Sequence, residues 1–502
     1  MNIKLLLSIV IYSSLHHFSI AQSPLPTNWH KTNNDSIRGV KSEEALSFLK
    51  QSEIKPFGEI VVGIIDSGVD TTVVEIKKSL WTNKSEKKDG KDNDNNGYID
   101  DLHGWNFLGT DDGNFNMISA GTEEYRQFKA LYPKYKDPTV IVKDSAEFAL
   151  YQKMKNKAGI ETYLKFFEYN KLKNESYNYI DSVLSKNKDI VLDTLTINGV
   201  LNYNTEDTLW VNSTSMIFMD FFSLGKNELW NNALKKHESD FELIKNRIHG
   251  IEHDTDKRLL IGDEMHDEMD IFYGNPNLQV DGFEHGTTVA GVTSGVYPKA
   301  KLMIIRALPE GDEYDKDISS AIRYAVNNGA KVINMSFGKY TSPNSEMVNN
   351  AISYAAEKDV LLIHSAGNNG LNIDSVDYFP SATDNTGDRF SNLLRVGATD
   401  LQGNRSSLSN YGVNNVDLFA PGENIISISA GGKQTVSQGT SVSAPIVTAV
   451  AAMIRHYFPS LKASEVKEIL LKSVTAMEEE GLSVSGGYLN ALEAVKIALE
   501  NQ

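Results

Sequence analysis

Short apolar runs alternate with helical patterns along the second half of the chain, and this alternation narrows the fold more than any other feature. Residues 301–306 (KLMIIR), 332–336 (VINMS) and 360–364 (VLLIH) read as strands. Between them, residues 318–328 and 347–357 carry amphipathic helical spacing, the first closed by Asn328-Gly329. Further strands are expected at 394–398 and 416–419, and helices at 441–456, 463–473 and 490–500. An earlier run, Ile60-Val61-Val62-Gly63-Ile64-Ile65, is continuously apolar and ends at Asp66-Ser67-Gly68. Such runs mark strands covered on both faces, so a parallel sheet with helices on both sides is predicted. Its site belongs at the carboxyl ends of the strands.

Residues 115–270 break this pattern. They are rich in Lys, Glu, Asn, Tyr and Phe, with helical stretches at 147–155 and 160–167 and more strand-like ones at 191–197 and 208–211. They read as an inserted, mainly helical subdomain between core segments 59–114 and 271–502. Residues 22–58 are polar, with a short helical pattern at 42–49, and read as an N-terminal segment that packs on the core. Residues 1–21 read as a signal peptide: Lys4, then an apolar stretch at 5–12, then Ser19-Ile20-Ala21 before the cleavage point. That stretch is too short to span a bilayer, and no later segment reaches the roughly 18 apolar residues needed. The chain is therefore expected to be exported, to an extracellular or periplasmic site.

Charge and cysteine content exclude several classes. The formal net charge is −17, which argues against a nucleic-acid partner, since phosphate binding needs a Lys/Arg surplus. No cysteine is present, so neither a disulfide scaffold nor a thiol nucleophile is available.

Four segments carry residue types suited to one chemistry. Asp66 ends the first strand. His285 lies in EHGTTVAG at a helix start. Asn368 lies in SAGNNG just past a strand. Ser441 lies in GTSVSAP, where small neighbours admit a substrate backbone and a helix start favours negative charge. Each residue alone is more often a cap, a turn former or a core group. As a set they supply a nucleophile, a base, a carboxylate to orient the base and an amide for a developing oxyanion.

VVGIIDSGVD, HGTTVAGV, INMSFG, SAGNNG and GTSVSAP, in the order Asp…His…Ser, resemble the catalytic motifs of subtilisin-like serine proteases. The resemblance covers residues 59–110 and 272–470. It implies an α/β, three-layer fold with a mostly parallel central sheet and helices on both faces, to which the inserted, mainly helical subdomain is added. It also implies an endopeptidase acting on polypeptide substrates through an acyl-enzyme. Ser441 would be the nucleophile, His285 the base, Asp66 its orienting partner and Asn368 the oxyanion donor. Ser336, Phe337 and Gly338 would pair with an extended substrate, with Ala366 and Gly367 walling the primary pocket beside Tyr378, Phe379 and Pro380. His285 follows Asp66 by 219 residues, several-fold more than is usual in the family, and the insert accounts for the gap. A catalytically silent, peptide-binding relative and an esterase are the competing readings.

Residues 92–101 (DNDNNGYIDD) match the start of an EF-hand-type loop, with oxygen ligands at positions one, three and five and glycine at six. Asp92, Asp94, Asn96, the carbonyl of Tyr98 and Asp101 are the expected calcium ligands. Position twelve is His103 rather than Glu, and an Asx-rich turn is the alternative.

Overall fold

The computed structural model describes residues 27–34, 36–253, 256–280 and 282–502; the expected signal peptide lies outside them. The chain folds into two compact units. One comprises Met1–Gly113, Glu264–Leu308 and Asp315–Gln502, the other Asn114–Asp263 and Pro309–Tyr314.

The first unit is built on a nine-stranded sheet. Its strands are β1 (Ile60–Asp66), β2 (Gly104–Asn106), β3 (Ala300–Arg306), β4 (Val332–Met335), β5 (Leu361–Ser365), β6 (Leu393–Thr399), β7 (Leu418–Pro421), β8 (Val474–Ala476) and β9 (Gly487–Leu489). Their order is β8-β9-β7-β6-β5-β4-β1-β3-β2, and every pair but β8–β9 is parallel. The chain places β3 on one side of β1 and β4 on the other. The carboxyl end of β1 is thus a topological switch point, where such sheets open a ligand crevice.

Alternation along β1 explains the two covered faces. Ile60, Val62 and Ile64 join the main core. That core also takes residues of α1 (Ser42–Gln51), α2 (Glu284–Val296), α5 (Thr440–Tyr457), α6 (Ala463–Lys472) and α7 (Ala491–Glu500). Gly63 faces the other way, and a Cβ built on it would lie 3.2 Å from Ala325 of α3 (Asp315–Asn327). Helix α4 (Ser345–Glu357) packs beside α3. Trp29, Val40, Ala45 and Leu49 of the N-terminal stretch belong to this unit's core. Trp29 is fully buried and donates to the Asn424 carbonyl (3.0 Å), and the carbonyl of Val40 accepts from Ala491 N (2.7 Å).

The second unit is mostly helical, with long helices at Ile160–Lys186, Thr208–Leu224 and Trp230–His253. Its cores are rich in aromatics. Tyr177, Trp210, Phe221 and Trp230 lie in one cluster, and Phe128, Tyr135 and Tyr151 in another. A two-stranded pair, Ser119–Gly121 with Glu310–Gly311, draws residues 309–314 into this unit, outside the stretch 115–270.

The strand expectations inside this unit are corrected. Leu192–Thr194 is a 3₁₀ turn and Ile197–Leu201 a short helix. Residues 208–211 open the helix Thr208–Leu224. Asp207 caps it, accepting from Leu209 N (2.8 Å) and Trp210 N (3.4 Å). Trp210, Ile217 and Phe221 then recur on one buried face, and that burial outweighs the strand preference of Thr, Trp and Val.

Candidate active site

Asp66 is the last residue of β1 and is 1% exposed. Its Oδ1 accepts from Ser67 N (2.8 Å) and from His285 Nδ1 (2.7 Å). His285 is the second residue of α2, and its side chain is 45% exposed. The imidazole therefore has one edge against a buried carboxylate and one towards solvent. The Asp66 charge raises the His285 pKa above its ordinary value; desolvation opposes the rise and the hydrogen bond adds to it. With Nδ1–H donating to the carboxylate, the Nε2 lone pair is left to accept a proton.

Ser441 is the second residue of α5. Gly439 precedes the helix with φ +115°, and a Cβ there would lie 3.0 Å from the Asn368 amide. Both the backbone angle and the close approach demand glycine. Asn368 Oδ1 accepts from Thr440 N (2.8 Å) and Thr440 Oγ1 (3.0 Å). A backbone N–H can only donate, so the amide orientation is settled and Nδ2 points away from Thr440. Thr440 Oγ1 in turn accepts from Gly367 N (3.0 Å).

Pro445 lies in the second turn of α5 rather than the first, so its missing N–H is felt. The intrahelical partner it cannot supply is the one owed to the Ser441 carbonyl. Ser336 Oγ donates there instead (2.9 Å) and accepts from Asn334 Nδ2 (2.9 Å). The four-residue spacing of Ser441 and Pro445 shows that this carbonyl lacks a helical donor, but not that Ser336, 105 positions earlier, supplies one.

Helices α2 and α5 pack against each other in the main core. Among the described residues, the Ser441 hydroxyl forms no hydrogen bond, to His285 or to another group. Two half-sites are thus present, one carrying Asp66 and His285, the other Asn368, Thr440 and Ser441. In free enzymes the bond between such halves is often long and tightens around substrate.

The model of the subtilase family matches residues 58–488. The chain belongs to the subtilase family. It is 34% identical over 233 residues to M-protease of Shouchella clausii (strain KSM-K16), covering 44% of this chain and 57% of that protein. It is 33% identical over 233 residues to subtilisin BL of Lederbergia lenta, covering 44% and 81%. Among solved structures, a lanthipeptide protease matches at TM-score 0.40 and 28% identity, covering 45% of this chain and 78% of that one. The match to M-protease spans little more than half of that protein's length. Family and relatives support a peptidase of the serine class.

In this subtilase the residues expected to meet substrate are held from behind. The Phe337 carbonyl lies 2.8 Å from His364 Nε2 and accepts from Ser365 Oγ (3.2 Å). Ala366 is fully buried, and its carbonyl accepts from Asn410 Nδ2 (2.8 Å). Gly338 and Gly367 both lie against the ring of Tyr378. His364 and Asn410 carry no sequence signal, because they act through backbone atoms of distant residues.

The acidic loop brings Asp92 and Asp94 together with Glu86, which sequence reading missed; carboxylate oxygens of all three lie within 4.8 Å of one another. Glu86 is buried and accepts from Asp94 N (3.2 Å) and Asp100 N (3.0 Å). Asp92 accepts from Asn96 N (3.1 Å) and Gly97 N (2.8 Å), and Asn96 Oδ1 accepts from Tyr98 N (2.8 Å). Asp101 sits behind this group. It is fully buried and accepts from Tyr324 Oη (2.7 Å), Asn83 Nδ2 (2.9 Å) and Asn96 Nδ2 (3.1 Å). Burial pushes its pKa up to about 6. The Tyr98 hydroxyl donates to the Ile271 carbonyl (2.9 Å).

Proposed function

We propose that this subtilase is an exported serine endopeptidase working through Ser441, His285 and Asp66. The 2.7 Å contact between Asp66 Oδ1 and His285 Nδ1 carries the reading, because it leaves Nε2 basic on the exposed edge of the ring. Ser441 Oγ attacks the scissile carbonyl carbon and passes its proton to Nε2. The oxyanion takes hydrogen bonds from Asn368 Nδ2 and Ser441 N–H. The C–N bond breaks, the amine leaves with the proton from His285, and an acyl ester remains on Ser441. Water, deprotonated by the same imidazole, hydrolyses that ester. Ser336, Phe337 and Gly338 align the substrate as an added strand. Apolar residues 5–12 followed by Ser19-Ile20-Ala21 support export, and among the described residues no helix is long and apolar enough to cross a membrane.

A fluorophosphonate probe tests the chemistry. Labelling is expected on Ser441 and lost in Ser441→Ala. Folded wild-type protein that resists the probe would instead support the silent, peptide-binding reading.

The same proposal includes a structural Ca²⁺ at the acidic loop. Glu86, Asp92 and Asp94 offer the hard oxygen donors such an ion takes, within 4.8 Å of one another. Added Ca²⁺ should raise the melting temperature, and Asp94→Ala should abolish that rise. An equal rise in the variant would place the ion elsewhere.

A further inference from the structure

Strands β4 and β5 are neighbours in the sheet. Past their carboxyl ends the chain separates into two pieces, Ser336-Phe337-Gly338 and Ala366-Gly367. Both are tied to the start of α5, the first through Ser336 Oγ to the Ser441 carbonyl, the second through Gly367 N to Thr440 Oγ1. The opening between them lies outside the ends of parallel strands and beside Ser441. A substrate whose carbonyl faces Ser441 must send the adjoining side chain into it.

The ring of Tyr378 stands in that opening. A Cβ on Gly338 would lie 2.3 Å from Tyr378 Oη, and one on Gly367 would lie 2.9 Å from Tyr378 Cε2. The ring therefore touches both walls, and it is only 7% exposed. It is also fixed. It stacks on His364 at 5.5 Å and 17°, meets Tyr340 at 5.3 Å, and has the Arg395 guanidinium 5.3 Å from its centroid. His364 is fully buried with both nitrogens engaged, Nε2 by the Phe337 carbonyl (2.8 Å) and Nδ1 by Arg395 Nε (3.2 Å). Burial holds its pKa well below the ordinary value, so it stays a neutral, unmoving platform. Arg395 donates as well to the Pro380 carbonyl, anchoring the segment that carries Tyr378. Swinging the tyrosine aside would break contacts on every side of it.

We propose that Tyr378 is a specificity-determining residue that fills the crevice beside Ser441. Only glycine, alanine or serine then fits on the acyl side of the scissile bond, and phenylalanine, leucine or lysine is excluded. This rests on the hydrolase reading above.

Peptidyl diphenyl phosphonates with alanine or phenylalanine next to phosphorus provide the test, read as inactivation rates. The alanine probe should react on the order of 100-fold faster with wild type, the range that steric exclusion from an apolar pocket supplies. Tyr378→Phe keeps the ring and should keep the ratio. Tyr378→Gly should lower it by about tenfold or more. A wild-type ratio near one overturns the proposal whether or not Tyr378→Gly folds, as does a folded Tyr378→Gly with an unchanged ratio. A small fluorophosphonate separates the two readings. If it labels Ser441 while the phosphonate ratio is near one, only the Tyr378 proposal falls; if it fails to label folded wild type, the hydrolase reading falls and takes this proposal with it.

Discussion

Asp66 and His285 are joined by a short contact between a carboxylate and an imidazole, whereas Ser441 is placed by neutral hydrogen bonds around Thr440, Asn368 and Ser336. The first region changes character with a proton and the second does not. Asp66 sits in the interior, so its charge acts on His285 with little screening. Around Ser441 the positions follow from backbone geometry: a left-handed glycine, a proline lacking its N–H, and an amide whose oxygen is held twice. One half of the site should therefore be read by titration, the other by rate at fixed pH.

The sharpest test of that contrast is Asp66→Asn. Loss of the orienting carboxylate in a Ser-His-Asp triad lowers turnover on the order of 10⁴-fold. In the proposed mechanism the base works as neutral imidazole, so kcat/KM of the wild type should fall as pH drops through a His285 pKa raised above its usual value. Removing Asp66 removes the largest cause of that rise, and the acid limb should move to lower pH. The same shift bears on stability. The protonated His285–Asp66 pair stabilises the fold fully below the unfolded histidine pKa, and that contribution is lost as pH rises through the folded value. A pH–rate profile unchanged by Asp66→Asn would break the comparison.

Asn368→Ala comes next. Loss of one oxyanion donor costs on the order of 100- to 1000-fold in turnover, a figure carried over from subtilisin. The acid limb should stay in place, because no titrating group is touched. A shifted limb in single-turnover kinetics would show that the halves are coupled through more than substrate.

Ser336→Ala is the smallest of the three. It strands the Ser441 carbonyl, a part-buried acceptor that Pro445 cannot serve, and should destabilise the protein by about 1–3 kcal/mol. Chemical denaturation would measure this. A melting curve identical to wild type would mean that the carbonyl finds another donor.

The central sheet was readable from sequence because its strands are buried on both faces. β1, β3 and β5 appear as apolar runs, and the predicted helix at 441–456 differs from Thr440–Tyr457 by one residue at each end. The second unit was less readable. Val, Thr and Trp at 208–211 suggest a strand, but a single capping Asp207 and a buried face spread over three turns make them helical. At the site, each candidate residue could be seen at an element's end, while its supports could not. Glu86 reaches the acidic loop from outside the motif, and Asp101 is bonded both to Asn96 of the loop and to the distant Tyr324. Tyr378, His364 and Arg395 share a network although they lie on three separate segments.

The order of strands and helices, the caps, and the chemical kinds of group at element ends were set within windows of a few residues, where periodicity and turn chemistry operate. Which of those groups meet was decided only by the folded sheet. Parallel strand order brings Asp66 to a histidine 219 positions later and Ser336 to a carbonyl 105 positions later. It also drives a tyrosine ring between two glycines from different loops. Such contacts depend on side-chain volumes and hydrogen-bond directions converging across the whole core, and no local stretch of sequence carries that information.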